Sequence, residues 1–310
     1  MNDNKWRGVF VILPTPFDDD LALDVESLRR VIRFCLDSGV HGVVTPANAS
    51  EAPYLTDQER QQVVRTTIAE IDGKVPVVVG VTSSCGVNAR AFAREAEREG
   101  ADAVMAMPPQ VQRASEPEIR AYYATIAGAS GLPIFLQNYG GPGGTPMSAR
   151  LMADLLRDLP TVQFVKEETE FSGPMISSVI EAAGPHLKGV MGGKAGRHLL
   201  DEYRRGVCGT MPACEVSDVH VALWRALEAN ETGRAGEIYR QLLPLLLFEL
   251  SYGPPVYKEV LRRRGVIRSS AIRQTGGRVL DAHAAAELTR ILDDLAPLLG
   301  ASRKTLQSAQ

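Results

Sequence analysis

The sequence predicts a (β/α)8 TIM barrel, a parallel α/β barrel of eight strands, with a C-terminal helical extension. Short apolar runs and segments with helical periodicity alternate along the chain, and this alternation is typical of a parallel β/α architecture. The runs are continuously apolar, as expected for strands that are covered on both faces. A doubly wound open sheet is the alternative, but it would have a glycine-rich turn after the first strand. Residues 13–17 read LPTPF there, so the closed barrel is favoured.

The strand predictions depend on short runs of β-branched or apolar residues. Eight such runs occur, at residues 9–13, 40–45, 75–81, 103–107, 133–136, 162–166, 189–192 and 209–212. The chain has 310 residues, which is enough for a barrel of ~250 residues and an addition to it.

Three helix starts carry capping signals. Asp24 can cap the first helix, and Thr56 with Glu59 forms a capping box, which Ser115 with Glu118 repeats. Further helices fit residues 148–158, 174–183, 196–205 and 216–229.

The last part of the chain has three more helical patterns, at residues 235–250, 255–264 and 284–299. No long polar linker separates them from the rest of the chain. We therefore predict that residues 1–229 form the barrel and that residues 230–310 form a helical extension packed on it.

Composition and charge exclude several classes of protein. The net charge is only −3, and no run of lysine or arginine suggests a nucleic-acid partner. The longest apolar run, residues 242–248, is too short to span a membrane, and the polar start lacks the apolar stretch of a signal peptide. The cysteines and histidines are dispersed, with no CxxC pair and no metal-ligand spacing. We expect a cytoplasmic protein with no metal site and no membrane association.

Lys166 ends an apolar run in the segment VQFVKEET, residues 162–169. A free lysine has a pKa near ~10.4 and is almost wholly protonated at neutral pH. Burial among apolar side chains disfavours the charged form, and a neutral amine can attack a carbonyl carbon to form a Schiff base. The alternative is a lysine at a strand end that reaches out to solvent. Lys166 stands apart, because the other lysines lie in loops or apparent helices, at positions 5, 74, 188, 194, 258 and 304.

Glu168 lies two residues after Lys166. Because side chains alternate along a strand, the two residues share a face if the strand continues, while Glu167 points away. An amine and a carboxylate on one barrel wall could be a Schiff-base former and a proton acceptor. They could also be a salt bridge in which Glu168 only keeps Lys166 charged.

Other polar side chains follow strand ends, where the functional groups of such barrels gather. Residues 47–51, ANASE, follow the second strand, and their backbone amides, with the Asn48 amide and the Ser50 hydroxyl, could hold a carboxylate. A plain polar turn is the alternative. Gln137 ends the fifth strand, and a glycine-rich loop follows at residues 138–144 without the lysine and Ser/Thr of a phosphate-binding loop.

On these motifs the chain resembles the dihydrodipicolinate synthase and N-acetylneuraminate lyase superfamily of class I aldolases, along nearly its whole length. The matching segments are residues 14–17 (PTPF), 50–51 (SE), 55–60 (LTDQER), 107–109 (MPP) and 165–167 (VKE). The resemblance implies a (β/α)8 barrel with a helical C-terminal extension, usually assembled as a homotetramer. It also implies that Lys166 forms a Schiff base with a small-molecule substrate, pyruvate or another 2-oxo acid.

The chain departs from the aldolase pattern at several positions. The tyrosine that commonly ends strand five is replaced by Gln137, and the one that follows strand four is replaced by Gln110. An amide cannot pass on a proton as a phenol can. The pattern is similar to that of the L-2-keto-3-deoxyarabonate dehydratases, which have an Ala-Asn-x-Ser-Glu turn, a Met-Ala-Met-Pro-Pro loop, a glutamine at the end of strand five and Lys-x-Glu-Thr in strand six. The corresponding residues are 47–51, 105–109, 137 and 166–169.

The resemblance therefore implies dehydration of a 2-keto-3-deoxy sugar acid through a lysine imine. In that reaction a base removes a C3 proton, and the C4 hydroxyl leaves as water. The expected catalytic residues are Lys166, Glu168 and Gln137, and the expected substrate-binding residues are Asn48, Ala49, Ser50, Gln110, Gly192 and Lys194. No cofactor is implied, because the imine supplies the electron sink.

Three questions stay open at the level of sequence. Lys194 and Arg197 could bind a second carboxylate of a diacid substrate, or they could begin a solvated helix. A retro-aldolase that releases pyruvate is the alternative enzyme. A non-catalytic ligand-binding barrel is the alternative outside enzymes, although a pure binder needs no buried amine beside an acid.

Overall fold

Eight strands close into a barrel in sequence order, which confirms the predicted fold class. The computed structural model describes residues 5–276 and 279–300. The strands are β1 (Gly8–Ile12), β2 (Gly42–Thr45), β3 (Val77–Gly80), β4 (Ala103–Ala106), β5 (Ile134–Tyr139), β6 (Val162–Glu168), β7 (Gly189–Gly192) and β8 (Gly209–Thr210). Each of the eight predicted strands is thus present.

Helices follow the strands and continue to the end of the described chain. They are α1 (Val25–Asp37), α2 (Asp57–Ile71), α3 (Gly86–Glu99), α4 (Glu116–Ala127), α5 (Ala149–Asp158), α6 (Ser172–Ala183), α7 (Leu199–Arg204), α8 (Ser217–Glu228), α9 (Thr232–Tyr252), α10 (Pro254–Arg263) and α11 (Ala282–Leu295). Among the described residues, no helix combines the length and the apolar character that crossing a membrane requires.

The chain divides into two compact units. The first unit contains the described residues of Met1–Arg7 and Pro76–Met211, with strands β3 to β8 and helices α3 to α7. The second contains the described residues of Gly8–Val75 and Pro212–Gln310, with strands β1 and β2 and the remaining helices. The proposed boundary between barrel and extension at residue 230 stays a prediction.

In the first unit, β5 and β6 are longer than their apolar runs predicted. They reach Tyr139 and Glu168, and their pairing aligns Gln137 with Lys166 and Tyr139 with Glu168. The polar continuation is stable because the Asn138 side chain is hydrogen-bonded: its amide donates to Glu167 Oε2 at 2.7 Å, and its oxygen accepts from the Met147 amide at 2.7 Å. Buried polar groups that are paired in this way allow a strand to extend beyond its apolar residues.

In the second unit, the capping signals of α1 and α2 are confirmed. The Asp24 carboxylate accepts from the Ser27 amide at 2.9 Å, and Thr56 and Glu59 form the reciprocal capping box. These bonds satisfy N–H groups that have no partner within the helix.

Two predicted helix bounds were wrong. The helix expected over residues 196–205 begins only at Leu199, because Lys194 and Ala195 have φ values of 49° and 58° and form a separate 3-10 turn. The helix expected over 284–299 ends at Leu295, shortly before Pro297. Pro297 has no backbone N–H to donate to the carbonyl four residues before it, so the regular helical hydrogen bonding ends there.

Candidate active site

Lys166 lies in β6 and is 2% exposed, beside Glu168, which is 7% exposed. Its Nζ is 3.0 Å from Glu168 Oε1, and the Gln137 amide donates to the same oxygen. The strand therefore continues past Lys166, and the predicted shared face is confirmed. All three residues predicted to be catalytic are in contact in the first unit.

Glu167 points to the other side of β6, as the alternation predicts. Its carboxylate accepts hydrogen bonds from the Asn138 amide, the Thr169 amide and the Thr169 hydroxyl. Burial raises the pKa of Glu167, while these hydrogen bonds lower it in part. Glu167 thus supports the wall that carries Lys166 and is separated from the Lys166 amine by the strand itself.

Gly192 and Gly193, at the end of β7, leave room for two carboxylates. A Cβ atom at Gly192 would collide with Glu202 Oε2, and one at Gly193 would lie 2.5 Å from Glu168 Cβ. Both positions therefore require glycine for steric reasons. Gly192, which was predicted to bind substrate, borders Glu202.

Glu202 was not predicted from the sequence, because it lies in the short helix α7 without a motif around it. It is buried, and its Oε1 accepts from the Ser172 hydroxyl at 2.8 Å, while Oε2 has no hydrogen-bond partner among the described residues. Burial raises the pKa of Glu202 to about 7; the Ser172 bond opposes this, and the charges of Glu167 and Glu168 add to it. Glu202 therefore titrates near neutral pH behind the β6–β7 wall.

A pH dependence of stability follows from Glu202. An unfolded chain releases this proton near the ordinary value of 4.5, whereas the folded protein holds it until about pH 7. The free energy of unfolding should therefore fall as the pH rises through this window, by at most about 3 kcal/mol from Glu202. Urea unfolding at several pH values should show a smaller fall for Glu202→Gln than for the wild type. An equal fall in both proteins would rule Glu202 out as the source.

In the second unit, the turn after β2 is a single 3-10 turn over Asn48–Ser50. The Ser50 hydroxyl donates to the Leu13 carbonyl and accepts from the Ala47 amide at 3.0 Å, and the Thr15 hydroxyl donates to the Ser50 carbonyl at 2.7 Å. The Ser50 hydroxyl proton is thus used to shape the turn. Asn48 is exposed and Ala49 half-buried, so these two residues present the accessible part of the turn.

A second buried lysine lies in the second unit, in a helix as the sequence predicted, so its place in a strand, and not burial, sets Lys166 apart from it. Lys258, on α10, is fully buried, and its Nζ is 2.5 Å from Glu51 Oε1 and donates to the Ala271 carbonyl at 2.8 Å. Burial lowers the pKa of Lys258 to about 8, although Glu51 opposes the change. A sequence signal existed, because Lys258 lies three residues from both Pro255 and Leu261, on the buried face of the helix.

Arg273, in the segment between α10 and α11, belongs to the same cluster. The amides of Arg273 and Gln274 donate to Glu51 Oε2 at 2.7 and 2.8 Å. The Arg273 guanidinium holds Glu59 through two bonds of 2.7 and 2.6 Å and lowers the pKa of Glu59 to about 2. The Phe17 ring contacts both cations: Lys258 Nζ is 4.2 Å and Arg273 Cζ is 4.1 Å from the ring centre, which is a favourable cation–π arrangement.

The remaining candidates lie in loops of the first unit. Lys194 Nζ is paired with Glu170 Oε2 at 2.7 Å, and Arg197 donates to the Lys194 carbonyl at 3.2 Å. Gln110 lines a groove of about 590 Å³ with Arg113 and Tyr122, and Lys166 is not part of that lining. The contacts described for Lys194 and Gln110 thus involve residues other than Lys166, Glu168 and Gln137.

Comparison with known proteins gives the family. Residues 5–294 match the model of the Dihydrodipicolinate synthetase family. The protein belongs to this family. Members of the Dihydrodipicolinate synthetase family are lyases that use a lysine Schiff base, so the protein is a lyase of this type.

Relatives within the Dihydrodipicolinate synthetase family have more than one activity by name. The chain is 32% identical over 276 residues to the L-2-keto-3-deoxyarabonate dehydratase of Azospirillum brasilense, which covers 88% of this chain and 85% of that protein. It is 28% identical over 276 residues to a 4-hydroxy-tetrahydrodipicolinate synthase of Pelodictyon phaeoclathratiforme, covering 87% and 91%. The crystal structure of the dihydrodipicolinate synthase of Rhodopseudomonas palustris superposes with a TM-score of 0.86, at 27% identity, over 95% of this chain and 99% of that chain.

Proposed function

We propose that the protein dehydrates a 2-keto-3-deoxy sugar acid of the L-2-keto-3-deoxyarabonate type through an imine on Lys166. The observation that carries the proposal is the contact of Lys166 and Gln137 with one oxygen of Glu168. A buried amine, a carboxylate and an amide supply a nucleophile, a base and a hydrogen-bond donor. The similarity to a protein named L-2-keto-3-deoxyarabonate dehydratase supports the same proposed reaction.

The reaction begins when Lys166 attacks the C2 carbonyl and releases water. The resulting iminium withdraws electrons and acidifies the C3 protons. Glu168, 3.0 Å from the amine before reaction, removes one of these protons, a step in which a positioned base contributes roughly 10²–10⁴-fold. The C4 hydroxyl then leaves as water near Gln137.

The turn over Asn48–Ser50 is assigned to the C1 carboxylate. Its accessible residues are the exposed Asn48 and the half-buried Ala49, and a carboxylate is well matched by backbone amides in a tight turn. Holding the carboxylate fixes the reacting carbon and contributes proximity rather than chemistry. The expected contacts of Lys194 and Gln110 with the substrate stay predictions, and we expect a homotetramer in the cytoplasm.

Pyruvate-dependent aldol chemistry is the second candidate, because relatives named 4-hydroxy-tetrahydrodipicolinate synthase match most of the chain. Gln137 argues against it, since an amide cannot relay the proton that such chemistry needs. A panel of 2-keto-3-deoxy acids separates the two. Loss of water from one of them, without pyruvate release in a coupled assay, supports the dehydratase, and pyruvate release supports the aldolase.

Glu168→Gln tests the role of the base. The amide keeps the size of the side chain but cannot accept the C3 proton, so turnover should fall by roughly 10²–10⁴-fold. The imine should still form, and borohydride reduction with pyruvate should still leave an adduct on Lys166 that is detectable by mass spectrometry. Wild-type turnover in Glu168→Gln would remove Glu168 from this role.

A further inference from the structure

The proposed dehydration needs a proton donor that the Lys166 group lacks. The C4 hydroxyl leaves readily only as water, whereas Lys166 is held in the imine and the Gln137 amide is not an acid. We propose that Tyr139 is the general acid that protonates the departing C4 hydroxyl, an inference that rests on the proposed function.

The position of Tyr139 on β5 is the first argument. The strand continues to Tyr139, and the pairing of β5 with β6 sets Tyr139 opposite Glu168 as it sets Gln137 opposite Lys166. Residues two apart on a strand project from the same face. Tyr139 therefore projects from the same face as Gln137, whose amide contacts Glu168. The phenol belongs to the wall that carries the proposed base.

The glycine-rich loop after β5 supplies the second argument, because it is shaped around this phenol. A Cβ atom at Gly141 would collide with the Tyr139 hydroxyl, and one at Gly144 would lie 2.8 Å from Tyr139 Cδ1. The lack of side chains at these positions makes room for the ring, which explains a glycine-rich loop that has no phosphate-binding residues. The loop thus fixes the phenol at the end of the strand.

The protonation state of Tyr139 suits an acid. The residue is half-buried, and burial together with the negative charge of Glu168 raises the pKa of the phenol above its ordinary value of 10. It therefore carries its proton at neutral pH. A donor must hold the proton until the leaving oxygen develops charge, and this environment favours that state.

The step balances without another reactant. Glu168 takes the C3 proton, and the electron pair of the C3–H bond forms the enamine. The enamine then expels the C4 oxygen, the C4–O bond breaks, and Tyr139 gives its proton to that oxygen so that water leaves. The tyrosinate recovers a proton from the protonated Glu168 opposite it, so both residues return to their starting states.

Tyr139→Phe removes only the hydroxyl. Dehydration of a 2-keto-3-deoxy acid should fall by roughly 10²–10⁴-fold, the usual contribution of a positioned acid. Borohydride trapping of pyruvate and exchange of its methyl protons in D₂O should stay at the wild-type level, because they need only Lys166 and Glu168. Fluoride release from 4-fluoro-2-oxopentanoate should fall less than about tenfold, since fluoride needs little protonation to leave.

A matched control is Tyr123→Phe, which removes a buried hydroxyl of the same unit that donates to the Ala106 carbonyl and should leave dehydration unchanged. The inference is overturned if Tyr139→Phe dehydrates at the wild-type rate, or if it loses fluoride release and proton exchange to the same extent as dehydration. A wild-type enzyme that traps pyruvate but dehydrates no acid of the panel overturns the proposed function, and the role of Tyr139 with it.

Discussion

Replacement of Lys166 by methionine should abolish turnover and remove every borohydride adduct. The proposed reaction passes through a covalent bond to this nitrogen, and no other residue of the described group is a nucleophile. Methionine is close to lysine in length and is compatible with a site that is 2% exposed. The expected loss is therefore chemical rather than a failure to pack. Mass spectrometry after reduction with pyruvate measures the adduct, and a dehydration assay measures turnover.

Two further variants test whether the amine of Lys166, rather than its positive charge, is required. Lys166→Arg keeps a cation beside Glu168 but cannot form an imine, because guanidinium stays protonated, so it should be as inactive as Lys166→Met. Lys188→Met changes an exposed lysine just before β7 in the same unit and should react as the wild type does. An adduct in Lys166→Met, or turnover in Lys166→Arg, would contradict the assignment.

The sequence predicted the barrel and the Lys166 group well, because both depend on local patterns. Eight apolar runs give eight strands, and the alternation along β6 places Lys166 and Glu168 on one face. Gln137 joins them because strands five and six are neighbours in any barrel of this order. Each of these steps needs only periodicity and strand order.

Residues whose importance depends on distant contacts could not be predicted in this way. The surroundings of Glu202 include Gly192 and Ser172, which are separated from it along the chain but adjacent in the fold. Tyr139 was read as part of a loop, because nothing in the sequence showed that Asn138 would be hydrogen-bonded and would let β5 continue. Helix periodicity could place Lys258 on a buried face, but it could not show the partner Glu51, which lies in a turn far from Lys258 in the sequence.

Lys258→Met is expected to destabilise the fold by about 3–5 kcal/mol, the usual effect of removing one partner of a buried ion pair. Glu51 would then be a buried carboxylate without its cation, and both side chains are fully buried. Glu51 also anchors the amides of Arg273 and Gln274. The loss should therefore loosen the contact between the turn after β2 and the segment that contains Arg273. Urea unfolding measures the change in the free energy of unfolding.

The double variant Lys258→Met with Glu51→Gln should recover part of this stability, because neither buried charge remains. A glutamine at position 51 retains a carbonyl oxygen that can accept from the Arg273 and Gln274 amides, which supports the partial recovery. With the single variant Glu51→Gln measured as well, the cycle gives the coupling energy between the two positions, which we expect to be non-zero for residues in contact. Arg262→Met is the matched control on the same helix: its partner is Glu259, and the pair is more exposed.

The more exposed ion pair between Arg262 and Glu259 should contribute less than about 1 kcal/mol to the free energy of unfolding. A large loss of stability confined to Lys258→Met would therefore identify burial as the cause. A loss of similar size in both variants would instead mean that α10 responds to any change of charge.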